Sequence, residues 1–86
     1  MWRVEFTSEA EKHFSKLDKQ TQNEIHKLLQ KILKIQDPHI FCKALVGDLS
    51  GFWRYLVGKY RLICKIQKDI LIVSILKIAK RDKVYN

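Results

Sequence analysis

Trp2, Val4 and Phe6 alternate with Arg3 and Glu5, the period-two pattern of a strand with one buried face, so the chain opens on a strand. Thr7 or Ser8 can cap a following helix, with Glu9 and Glu11 in its first turn where the helix dipole favours acids, and Ala10, Phe14 and Leu17 as its apolar stripe. Asp18 or Thr21 can start a second helix. There Ile25, Leu28, Leu29, Ile32, Leu33 and Ile35 recur at three- and four-residue spacing, and the helix must end before Asp37-Pro38. The short Leu17-Asp18 joint predicts a helical hairpin. Residues 36–51, with Pro38, Gly47 and Gly51, read as an irregular connection at the surface. The pattern then changes. Residues 52–57, 60–66 and 70–79 are rich in β-branched and aromatic residues and are separated by Gly58-Lys59 and Gln67-Lys68-Asp69, which predicts a three-stranded meander. Both parities of the last strand are apolar, Lys77 excepted, which places it centrally. The expectation is an α+β fold in the order β-α-α-β-β-β, with an N-terminal helical hairpin packed on one face of a mainly antiparallel four-stranded sheet.

Composition narrows the partner. At 86 residues, 47% of them hydrophobic, with 3 glycines and 1 proline, the chain is expected to fold as a single domain over residues 1–86. Lys and Arg number 17 against 9 acids, a formal net charge of +8, so a polyanionic partner is expected: nucleic acid, an acidic protein segment or an anionic membrane surface all satisfy that charge. Met1-Trp2-Arg3-Val4-Glu5 lacks the apolar stretch of a secretory signal, and the apolar run 70–75 is too short to span a bilayer; a soluble cytoplasmic protein is expected. Cys42 and Cys64 have no metal-ligand spacing, so they read as ordinary thiols, and neither a metal nor a cofactor is expected. Trp2 and Trp53 read as core residues.

The chain has no phosphate-binding glycine loop and no Ser/His/Asp or Cys/His set. His13, His26 and His39 read as solvated, without an evident orienting partner. What remains is a set of cations and phenols on the strands and tail: Arg54, Lys59, Tyr60, Arg61, Lys77, Lys80, Arg81 and Tyr85. Arg54 shares a parity with Phe52 and Leu56, whereas Trp53 and Tyr55 point to the opposite face. With helices over one face, the other becomes a shallow basic surface. Arg61 interrupts the apolar strand Tyr60-Arg61-Leu62-Ile63, where a guanidinium must find a partner or bind one from outside.

Residues 45–63, which contain Leu45-Val46-Gly47, Trp53-Arg54 and Val57-Gly58-Lys59-Tyr60-Arg61, closely resemble the signature of RelE/ParE-superfamily toxins of bacterial type II toxin–antitoxin systems. The ending Lys80-Arg81-Asp82-Lys83-Val84-Tyr85 resembles that family's closing Lys/His-Arg-x-x-x-Tyr element. The resemblance spans essentially the whole chain. It implies a ribosome-dependent mRNA endoribonuclease that needs no metal and acts in the ribosomal A site, where the RNA's own 2′-hydroxyl attacks the adjacent phosphate to leave a 2′,3′-cyclic end. By the same resemblance Arg61 and Arg81 stabilise the transition state, and Tyr85 acts as base or stacks on a nucleobase. Arg54 binds phosphate, with Lys59, Lys77 and Lys80 as further RNA contacts. The implied partner is a cognate antitoxin that wraps the toxin in a heteromer and masks the basic groove. Val46 and Leu56 stand where RelE-type members often carry a basic residue, which thins the cationic constellation. The alternatives are a ParE-like DNA gyrase inhibitor on the same fold, or a catalytically weakened RelE-fold binding protein.

Overall fold

The structure, a computed structural model, describes residues 2–81. Strand β1 (Arg3–Phe6) leads into helices α1 (Ser8–Ser15) and α2 (Lys19–Lys34), followed by β2 (Lys43–Ala44), β3 (Trp53–Val57), β4 (Tyr60–Gln67) and β5 (Ile72–Lys80). The strands form one sheet in the order β1-β5-β4-β3-β2, in which β1 runs parallel to β5 and every other pair is antiparallel. The α+β class, the hairpin and the central β5 are as the pattern predicts. The sheet, however, has five strands rather than four. Its extra strand pairs Lys43 with Arg54 and Ala44 with Trp53, and two residues are too few to display an alternation. The segment before β3 is accordingly more ordered than its composition suggests: it forms short 3-10 turns at Pro38–Phe41 and Gly47–Leu49, and it buries Pro38 and Leu45.

Both helices start where a side chain can take over a free backbone N–H. Thr7 Oγ1 accepts from the Ala10 amide at 3.1 Å, and Asp18 Oδ2 accepts from the Thr21 amide at 3.1 Å while Oδ1 accepts from the Thr21 hydroxyl at 2.6 Å. Those Thr21 bonds, the hydroxyl's foremost, hold the Asp18 carboxyl below its ordinary value. In the β3–β4 hairpin Gly58 takes φ +57° at the first position of a two-residue turn, a left-handed conformation in which glycine is unstrained.

The core lies between the helices and one sheet face. Ala10, Ile25 and Ile32 from the helices meet Tyr55, Val57, Leu62, Cys64, Val73, Ile75 and Ile78, with Trp2 closing one end through a hydrogen bond from its Nε1 to the Gln36 carbonyl at 2.9 Å. Trp53 packs on this cluster while remaining half-exposed. Ile75 and Ile78 have opposite parity yet share the core. The register explains it: Ile63 pairs with Lys77 but Cys64 pairs with Ile75, so Leu76 is an extra residue that reverses the alternation. The two apolar parities of β5 thus reflect a bulge as well as a central position.

Burial raises both the Cys64 thiol and the Tyr55 phenol well above their ordinary values, so neither ionises near neutrality. Tyr55 instead donates to the buried Pro38 carbonyl at 2.9 Å, tying the 3-10 turn to the sheet. Tyr55→Phe is expected to lower stability by about 0.5–1.5 kcal/mol in chemical denaturation. Asp18→Ala is expected to lower the melting temperature at pH 7. Because the folded carboxyl titrates below its unfolded value, that stabilisation is present above the unfolded pKa and is lost as pH falls through the folded one. The gap between the two melting curves should therefore close in acid, below about pH 4.

Candidate nucleic-acid interface

The two faces of the sheet differ in kind. Toward the helices point Val4, Phe6, Trp53, Tyr55, Val57, Tyr60, Leu62, Cys64, Ile66, Val73, Ile75 and Ile78, all apolar or aromatic. The other face carries Arg3, Lys43, Arg54, Arg61, Lys65 and Lys77 around the buried Ile63 and Ile72, with Glu5 beside Arg3 at 3.7 Å. Register aligns them. Lys43, Arg54, Ile63 and Lys77 form one row across four strands, and Leu56, Arg61 and Ala79 form the next. Arg54 and Arg61, with Ala44, Leu45 and Val46, line a hollow of about 220 Å³.

This row carries a stability cost. Directly paired antiparallel residues hold their Cβ atoms about 4.5–5.5 Å apart, so Lys43 opposite Arg54 is a like-charge pair worth a few tenths of a kcal/mol of destabilisation. Among the described residues no carboxylate pairs with Lys43, Arg54 or Lys77. A bound polyanion would relieve the repulsion, and adjacent guanidinium and ammonium groups suit phosphate oxygens.

The structure brings together Arg54, Arg61 and Lys77 of the residues singled out from sequence. Arg81 stands at the same end of the sheet as Arg61: its amide donates to the Lys59 carbonyl at 2.8 Å, two residues beyond the Ala79 that pairs with Arg61. Lys59 itself sits in the hairpin turn, exposed. Lys80 and Tyr60 are paired with each other and alternate to the helix-covered side. Tyr85 lies outside the described residues. Lys43, which completes the row, escaped the sequence reading because nothing but register reveals it.

Val46 and Leu56 are 71% and 41% exposed, the first in the wall of the hollow and the second opposite Arg61. The two apolar departures from the RelE-type pattern therefore flank the arginines. Among the described residues no group of three His, Cys, Asp or Glu can hold a metal ion, and no helix is long and apolar enough to cross a membrane.

Two histidines depart from the solvated reading. His39 Nδ1 donates to Asp37 Oδ1 at 2.7 Å, and its ring meets Trp53 edge-on with centroids 4.3 Å apart. That bond, with one from the His39 amide, lowers the Asp37 carboxyl below its ordinary value. His13 Nδ1 accepts from the Ile78 amide at 3.1 Å. Both partners come from tertiary or turn geometry that residue spacing does not disclose. His26 is exposed, as expected.

This combination of a two-helix cover on one sheet face and a cationic opposite face defines a small α+β protein of the RelE-like toxin fold. The sequence matches the family described as ParE toxin of type II toxin–antitoxin system, parDE, over residues 4–85, and the chain belongs to that family. The toxin–antitoxin complex RelBE2 from Mycobacterium tuberculosis contains a chain with 26% identity and a TM-score of 0.82, the match covering 93% of this chain and 98% of that one. The archaeal RelE-RelB complex from Pyrococcus horikoshii OT3 gives 22% identity and a TM-score of 0.76, over 96% and 98%. YafQ from E. coli strain BL21(DE3) gives 13% and 0.74, over the full length of both chains. The last two likenesses concern the fold alone. No curated protein sequence matches the chain.

Removing one member of the like-charged pair separates stability from binding. Lys43→Ala is expected to leave the melting temperature unchanged or raised. It should weaken binding to single-stranded RNA and make the slope of log affinity against log salt shallower by about one unit, measured by fluorescence anisotropy across a salt series.

Proposed function

We propose that this chain is a ribosome-dependent mRNA endoribonuclease, the toxin of its type II pair, and that the open cationic face is where RNA is cut. The row Lys43, Arg54 and Lys77, with Arg61 in the hollow beside it, is the observation that carries the reading. Transesterification needs no more than these residue types. The RNA's 2′-oxygen forms a bond to the adjacent phosphorus as its proton passes to a base; the bond from phosphorus to the 5′-oxygen breaks, and that oxygen takes up a proton. Charge builds on the non-bridging oxygens between these events, where Arg61 and Arg81 stabilise it. Arg54 and Lys77 hold the flanking backbone, with Lys43 as an addition to the set proposed from sequence. Lys59 extends the contact at the turn end, whereas Lys80 alternates to the helix-covered side of β5 and does not share the open face. Tyr85 supplies the base or a stacking surface; as a base it requires the neighbouring cations to favour phenolate. The substrate is mRNA in the ribosomal A site, and the cytoplasm is where it is met.

The solved complexes named RelBE2 and RelE-RelB support an antitoxin as the standing partner. Such a partner masks the cationic face in a heteromer, and an acidic one would be drawn to a chain of formal charge +8.

A second reading, a ParE-like inhibitor of DNA gyrase or a RelE-fold binding protein of weakened activity, draws on the exposed Val46 and Leu56. They place apolar surface beside the arginines where RelE-type members often have cations. Primer extension on translated mRNA after brief induction separates the two. The RNase reading predicts in-frame cleavage by the wild type, reduced on the order of a hundredfold in Arg81→Ala and also reduced in Tyr85→Phe. Growth arrest with mRNA intact contradicts it, and loss of gyrase supercoiling in the same cells would then support the second reading.

A further inference from the structure

Strand β5 has a strand on each side only for part of its length. Parallel pairing with β1 runs from Ile72 to Ile75, and its last backbone bond on that side is from the Thr7 amide to the Ile75 carbonyl at 3.0 Å. Beyond this point α1 replaces β1 as the neighbour, and two side chains do the work of a ladder. Thr7 Oγ1, while capping α1, donates to the Leu76 carbonyl at 2.8 Å. His13, in the last turn of the same helix, accepts from the Ile78 amide at 3.1 Å.

These are the two peptide groups on either side of Lys77. The Leu76 carbonyl belongs to the unit that precedes the Lys77 Cα, and the Ile78 amide to the unit that follows it. Holding both fixes the backbone torsions of Lys77, and so the direction of a side chain that stands in one row with Lys43 and Arg54. The position matters because Lys77 immediately follows the bulge at Leu76, where ladder spacing is disturbed and an unheld strand would shift most easily.

We propose that His13 is a positioning residue for the cationic face: its unprotonated Nδ1 locks the Lys77–Ile78 peptide and thereby aims Lys77 at RNA. It touches no substrate. Its ring reaches β5 from the helix-covered side, with Glu9 Oε2 at 3.9 Å from the remote Nε2. The effect on cleavage rests on the endoribonuclease reading, whereas the effect on the strand and on RNA binding does not.

Asparagine and glutamine separate geometry from mere polarity. The Asn Oδ1 hangs from Cγ as the His Nδ1 does, while the Gln carbonyl is one carbon further out. The test uses the full chain as wild type, His13→Ala, His13→Asn and His13→Gln. It reads amide hydrogen exchange at residues 76–80, affinity for a short single-stranded RNA labelled at its 5′ end, and cleavage of translated mRNA.

Expected are loss of exchange protection at Ile78 and weaker RNA binding in His13→Ala and His13→Gln, with both recovered in His13→Asn. Cleavage should follow the same order, falling on the order of tenfold or more in His13→Ala at saturating mRNA. If His13→Ala binds RNA as the wild type does although Ile78 exchanges freely, or if Ile78 stays protected, the proposal is overturned. A wild type that binds RNA but cuts no mRNA defeats the endoribonuclease reading. The His13 assignment is then upheld by loss and recovery of protection and affinity, and refuted by their constancy. Should His13→Ala fail to fold, His13→Gln against His13→Asn carries the comparison: equal affinities and equal Ile78 exchange overturn the proposal.

Discussion

Packing of α1 and α2 onto one face of the sheet is the interaction on which the rest depends. That face is apolar over nearly its whole extent, and a sheet of this size cannot leave it wet. Ile25 and Ile32 are completely buried against it, each contributing about 1.5–3 kcal/mol of favourable burial. Both α-helices lie on that face; the opposite one, although it buries Ile63 and Ile72, carries the sheet's row of cations. The division explains how so small a chain folds with Lys43 and Arg54 set against each other. Repulsion of a few tenths of a kcal/mol is small beside the burial on the far side.

The same packing organises the edge that carries the candidate site. Thr7 serves four groups, the Ala10 amide and the Leu76 carbonyl through its hydroxyl, the Ile75 carbonyl through its own amide and the Glu11 amide through its carbonyl. The start of α1 and the middle of β5 are therefore one joint. His13 extends it by a further residue pair. Strand β5 enters this joint as a core strand and leaves it bearing Lys77, Lys80 and Arg81, so fold and candidate chemistry meet within a few residues of the bulge.

Much of this was legible in the sequence, for identifiable reasons. Long periodic segments announced themselves: Ile25 to Ile32 could only be a helix with a buried stripe, and the Trp53/Tyr55 parity against Arg54 correctly divided the sheet faces. Capping chemistry at Thr7 and Asp18 was local and therefore readable. What escaped depends on contacts between distant segments. Lys43 joins the row through two residues of pairing. The Leu76 bulge makes opposite parities equivalent. His13 looked solvated because its partner is a backbone amide 65 residues away. Arg61 stands out as a candidate in the sequence because it breaks an apolar strand and because the family resemblance names its position. Tyr85 lies outside the described residues.

Separation of a covered apolar face from an open cationic one is the central claim, and it is tested most directly by mapping where RNA touches the chain. Backbone amide shifts of the full-length protein, followed by NMR during titration with a short single-stranded RNA, should move at Lys43, Arg54, Arg61 and Lys77 and remain still along the outer surface of α2. Shifts concentrated on the lysines of α2, with the sheet residues unmoved, would contradict it.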